Sequence, residues 1–116
     1  MLLIPESMAK QQIILRRFTG QSGGVYPKPT YDDPITIQSV VFQPQTIYTG
    51  TNNDRQIVAN AVVFLYKNIS QPIPKLSKAN IGSKITFEGD EYTVQKIVDN
   101  RNPFSNELWS YELEVL

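Results

Sequence analysis

The chain has 116 residues, 41% of them hydrophobic and 19% charged, which suits one domain with its own core and is too apolar for a disordered segment. Eleven basic residues balance eleven acidic ones, which argues against a protein that holds nucleic acid chiefly through its phosphates. Cysteine and histidine are both absent, so there is no disulfide, no thiolate metal site and no imidazole base, and no cofactor is expected. In chain order, "MLLIP" has no basic region before it and does not read as a signal peptide, and nothing approaches the length of a membrane span. Pro5-Glu6-Ser7 suits a first helical turn, so a short helix or coil is expected over 5–10. A strand over 11–20 follows, with Ile13 and Leu15 opposed to Ile14, Arg16 and Phe18.

The segment 19–34 carries Gly20, Gly23, Gly24, Pro27, Pro29 and Pro34 and is expected to be irregular. "ITIQSVVFQ" over 35–43 reads as a strand with Ile35, Ile37, Ser39 and Val41 on one face and Thr36, Gln38, Val40 and Phe42 on the other. A polar loop is expected over 44–55. The strand over 56–67 then places Ile57, Ala59, Ala61, Val63 and Leu65 against Val58, Asn60, Val62, Phe64 and Tyr66. A proline-bearing connection spans 68–82; its Asn68-Ile69-Ser70 matches a glycosylation acceptor, which we read as chance. "SKITFEGDEYTVQKIV" predicts a hairpin turning at Gly89-Asp90 with a type II′ turn, its return strand carrying Tyr92, Val94 and Val98. After a loop over 100–106, "LWSYELEVL" alternates Trp109, Tyr111, Leu113 and Val115 with Ser110, Glu112 and Glu114, a half-buried antiparallel strand. The expected fold is all-β: a small antiparallel barrel of about six strands with long loops, residues 11–116 of one domain, preceded by an N-terminal arm at 1–10.

Catalytic constellations are missing. No serine lies in a nucleophile elbow, and the glycines of 20–24 lack the lysine and the strand–helix setting of a phosphate loop. Asp32-Asp33 and Glu88-Gly89-Asp90-Glu91 lack the ligand spacing of a calcium loop and read as solvated turns. Arg16 and Arg17 point to opposite faces of a strand, so they read as a rim rather than a phosphate grip. Phe87, Tyr92, Trp109 and Tyr111 alternate with polar neighbours as core residues do, rather than as a base-stacking platform. The chain is not expected to be an enzyme or to hold a metal.

What remains is interaction. Only one face of a barrel strand can point inward, so Val58, Val62, Phe64 and Tyr66 must be covered by the chain's own loops, by a helix or by another subunit. Phe42, in the two-sided run Val40-Val41-Phe42, joins them as a subunit-interface candidate.

Several motifs occur in order: Tyr48-x-Gly50 ahead of an Asn/Arg stretch, Ala59-Asn60-Ala61-Val62-Val63-Phe64, Gly82-Ser83-Lys84-Ile85 with Phe87-x-Gly89, Tyr92-x-Val94, and Tyr111-Glu112-Leu113-Glu114-Val115. Each is weak alone. The ordered set resembles the minor capsid proteins encoded in head-gene clusters of tailed phages and prophages of Gram-positive bacteria, which are related to the head-completion, or stopper, proteins of siphophages. The likeness covers residues 35–116 well and the N-terminal third loosely. It implies a virion protein at the head–tail interface, assembled in the host cytoplasm and monomeric when purified. On the particle it implies a homo-oligomeric ring below the portal and its adaptor, closing the DNA exit channel and presenting the surface where the tail attaches. Packaged double-stranded DNA would pass close by without sequence-specific binding, and no membrane is involved. The resemblance makes 44–55 the channel loop, with Tyr48, Gly50, Asn52, Asn53 and Arg55 nearest its tip. A tail-completion protein, another minor capsid component, or a stand-alone barrel binding single-stranded nucleic acid or a peptide are the alternatives.

Overall fold

Alternating apolar and polar residues bury one face of each strand, and a small sheet removes its exposed edges by closing on itself. A computed structural model describes residues 9–51 and 53–116. Among the described residues the strands are β1 (Gln11–Arg16), β2 (Phe18–Gln21), β3 (Pro29–Tyr31), β4 (Ile35–Thr49), β5 (Gln56–Tyr66), β6 (Lys84–Phe87), β7 (Asp90–Arg101) and β8 (Leu108–Val115), with a 3-10 turn at Lys78–Asn80. Six of them form a closed antiparallel barrel in the order β1-β4-β5-β8-β7-β6. Closure comes from β1 and β6, paired from Ile14↔Thr86 to Arg16↔Lys84. The all-β barrel expected from the sequence is therefore present. Among the described residues there is no α-helix; Ala9 and Lys10 are irregular, and the rest of the helix considered at 5–10 lies outside them.

The interior is filled by Ile13, Leu15, Ile37, Val63, Leu65 and Leu113 with their neighbours. Two bulges re-aim the alternation. Ser39 takes a positive φ of 59°, and the β1–β4 register shifts beside it, so Val40 and Phe42 turn inward after Ile37. The face assignment over 35–43 is thus correct only up to Ser39. In β7 a register shift between Val94 and Lys96 places Ile97 against the core, and Val98 stands opposite Glu112 instead of following Val94 inside.

Other expectations need correction for local reasons. The hairpin after β6 turns at Glu88-Gly89, both with positive φ (50° and 86°), which is a type I′ rather than a type II′ turn; Asp90 already pairs with Phe87. The segment 19–34 is not wholly irregular, because β2 and β3 pair as a separate two-stranded ribbon. The first half of the loop expected at 44–55 is strand, because β4 runs on to Thr49. Pro44 suggested an end, yet proline is tolerated at edges and bulges, and here β4 has lost β1 as a neighbour and bulges after Pro44.

The segment 68–83 closes one end of the barrel. Gln71 forms an isolated antiparallel bridge to Gln38, and Ile73 and Leu76 pack on the core. The Leu76 N–H donates to the Tyr111 hydroxyl at 3.0 Å. Ser70 is buried; its hydroxyl accepts from the Tyr66 N–H and donates to the Ser39 carbonyl, so it serves the fold. This end, where β1 and β5 finish and β4 and β8 begin, carries the ribbon. The opposite end carries an arm.

Candidate functional site

The arm arises from unequal strand lengths. β1 pairs with β4 no further than Val40, and β8 takes up β5 only from Ala61. The rest of β4 and β5 leaves the barrel as a two-stranded hairpin, paired from Pro44↔Ala61 to Thr49↔Gln56. The radius of gyration is 15.2 Å, against about 13 Å for a compact chain of roughly this length.

At the tip, Gly50 has φ 98°, and a Cβ there would collide with the Asp54 carbonyl oxygen, so the turn requires glycine. The Asp54 N–H donates to the Thr51 carbonyl at 3.0 Å. Tyr48 stands opposite Ile57, and both are half-exposed at 50% and 49%. The Arg55 guanidinium sits 4.2 Å from the centre of the Tyr48 ring. Of the channel-loop residues, Tyr48 and Arg55 are therefore in contact, Gly50 makes the turn, and Asn53 is exposed beside it. Asn52 lies outside the described residues.

A second surface lies on the outer wall of β4, β5 and β8. The Phe64 and Tyr66 rings are nearly parallel, 6.3 Å between centroids, and the Trp109 ring meets Tyr66 edge-on at 6.0 Å. Phe64 stands between Val41 on β4 and Glu112 on β8. The Glu112 carboxylate accepts from the Asn100 side-chain amide at 3.1 Å. Burial first, and then the negative charge of Glu112, push the Tyr66 hydroxyl above its ordinary pKa. Phe64 and Tyr66 are half-buried on this wall, whereas Val58, also half-buried, lies in the arm, beyond the pairing of β5 with β8. Val62 is on it too but is already covered. Phe42 is not there: the bulge at Ser39 sends it inside, where its ring stacks on Phe87 with centroids 4.0 Å apart and planes 10° from parallel.

The charged pairs singled out in the sequence serve local structure. Arg17 holds Asp32 through two guanidinium nitrogens, at 2.9 and 2.7 Å, and also donates to the Lys75 carbonyl. Arg16 lies over the Tyr31 ring at 5.0 Å, and Lys84 approaches Glu91 at 4.0 Å. Among the described residues no group of three or more acidic, histidine or cysteine side chains is placed to hold a metal ion. Among the described residues no helix is long and apolar enough to cross a membrane. Tyr111 is buried, and Phe87 and Tyr92 pack against the core as expected; Trp109, expected there too, stands instead half-buried beside Tyr66.

One surface escaped the sequence reading. The tip of the β2–β3 ribbon exposes Val25 and Tyr26 at 87% and 84%. The signal was present: an apolar pair enclosed by turn formers in "SGGVYPKP" has no core to join.

Residues 10–115 match the family described as minor capsid protein. The chain is also similar to the uncharacterized ORF5 protein of Lactococcus phage LL-H, 48% identical over 88 residues that cover 76% of this chain and 73% of that protein. It is 46% identical to the ORF5 protein of Lactococcus phage mv4 over 101 residues, 83% of this chain and 86% of that one. No solved structure matches it.

Proposed function

We propose that this chain, which belongs to the minor capsid protein family of phages, acts in the virion as a head-completion protein: a ring subunit between portal and tail whose arm reaches toward the DNA channel. The observation that carries this reading is the hairpin of β4 and β5, which leaves a closed barrel at one end and exposes Tyr48, Ile57 and Arg55 near its tip. Glycine at the tip, and edges that pair with no third strand among the described residues, let such an arm change its path when a neighbour docks. The barrel is a rigid mount, and the aromatic wall of Phe64 and Tyr66 is its natural contact with the next subunit. A balanced net charge suits a channel from which DNA must later leave. Membership of a structural family, and a core that takes in Phe42, Phe87, Tyr92 and Tyr111, favour this role over catalysis and over a stand-alone binding barrel.

Deleting the gene from its phage or prophage and imaging the induced lysate tests the reading. Free tails beside tailless, emptied heads are expected. Heads that stay full and tailed, or infectious particles in normal number, would contradict it; full heads beside defective tails would mark a tail-completion protein instead.

A further inference from the structure

We propose that the tip of the β2–β3 ribbon is the counter-surface of the aromatic wall, so that Val25 and Tyr26 of one copy seat on Phe64 and Tyr66 of the next, with Lys28 facing Glu112. This deepens the ring reading and rests on it.

The ribbon is a prepared mount rather than a loose loop. At its base Arg17 grips Asp32 with both nitrogens, and the Phe18 N–H donates to the Ser83 hydroxyl at 2.8 Å. The Asn80 amide donates to the Phe18 carbonyl at 2.9 Å, and the Phe18 ring rests on Gly82. Backbone and side-chain bonds between Ser22 and Lys28 close the tip. An ordered base carrying exposed valine and tyrosine loses little conformational freedom on docking. Tyrosine is also among the residues that contribute most at interfaces.

Topology supplies the partner. The strand order β1-β4-β5-β8-β7-β6 sets the β1/β6 seam diametrically across from the β5/β8 seam. The ribbon springs from the end of β1 and is tied to residues 80–83 just before β6. Phe64 and Tyr66 lie near the end of β5, with Glu112 beside them on β8. The two surfaces thus sit on opposite flanks of the barrel toward the same end. A head-to-tail ring requires two different surfaces so disposed, whereas a two-fold dimer would use one surface twice. Charge agrees: among the described residues neither Lys28 nor Glu112 belongs to an ion pair, and each lies beside its apolar contact.

The absence of native cysteine permits a direct test. Phage carrying K28C/E112C is purified and treated with a short bismaleimide. Bands at dimer and higher multiples are expected from the double variant, and monomer alone from either single variant. Monomer alone in double-variant particles that hold normal amounts of the protein, or a link to a different virion protein, would overturn the proposal. A charge exchange decides the matter where the double variant is not incorporated: K28E should lower the amount of protein in particles, and K28E/E112K should restore it. Full incorporation of K28E, or no restoration, would count against the contact. Immunogold labelling separates the two readings. Cross-linked copies away from the head–tail junction would sink the head-completion role alone, and uncross-linked copies at the junction would sink only this contact.

Discussion

Replacing Phe42 by alanine distinguishes core from interface at the residue where sequence and structure disagree. Phe42 is 6% exposed, its ring stacks on Phe87 at 4.0 Å, and Tyr92 leans on it at 5.1 Å. Truncating a buried phenylalanine costs about 3–5 kcal/mol, a large share of the roughly 5–15 kcal/mol that stabilises a domain. At about 4 °C per kcal/mol, the midpoint of thermal unfolding should fall by roughly 12–20 °C. Phe64 is half-buried on the outer wall, so F64A should cost less than half as much. Urea unfolding followed by the fluorescence of Trp109, the single tryptophan, measures both variants. If F42A costs under about 1 kcal/mol, or no more than F64A, Phe42 does not fill the barrel and the placement of the Ser39 bulge is wrong.

The same assay checks the other expectations. Y111F leaves the buried Leu76 N–H without its acceptor and should cost about 1–3 kcal/mol. Ser39→Val puts a β-branched residue at φ 59° and should cost about 1–3 kcal/mol through strain. For Tyr66 the raised pKa means that the unfolded chain releases the phenolic proton first as pH rises. The stability it supports is whole below the ordinary value of 10.0 and lost as pH climbs through the folded value. Urea midpoints from about pH 9 to about pH 11 should therefore fall in the wild type and fall less in Y66F. Gly50→Ala should leave the barrel's unfolding almost unchanged, because the tip is remote from the core, yet reduce infectious titre by distorting the arm.

The barrel was legible because its signal is local. In β8 from Tyr111 onward and in the inner face of β5 from Ala59, period-two alternation names the inward residues, and Tyr111, Leu113, Val115, Ala59, Ala61, Val63 and Leu65 are all buried. It fails at the start of β8, where Ser110 is buried and Trp109 is only half-buried beside Tyr66, and at Ile57, which is exposed. Alternation fails where one extra residue shifts the phase, as at Ser39, because a bulge is set by the partner strand and not by the residues it displaces. Phe42 was misplaced for that reason. In the β4 half of the arm, Pro44 and a polar composition look like a turn, while the β5 half from Gln56 reads correctly as strand; the pairing of 44–49 depends on β5, a neighbour that no local window contains. Tyr48, Gly50 and Arg55 were nonetheless found at its tip. The ribbon was missed because β2 and β3 are too short to show a period, and their pairing needs a contact across the whole loop.

We propose that this barrel forms a ring at the head–tail junction. Cryo-electron microscopy of the junction in particles of the phage that encodes the chain tests it most directly. The account predicts a ring of six-stranded barrels below the portal, with the β4–β5 arms directed at the channel and the β2–β3 ribbons bridging neighbouring copies. Barrels found on the outer face of the head, or within the tail, would contradict it.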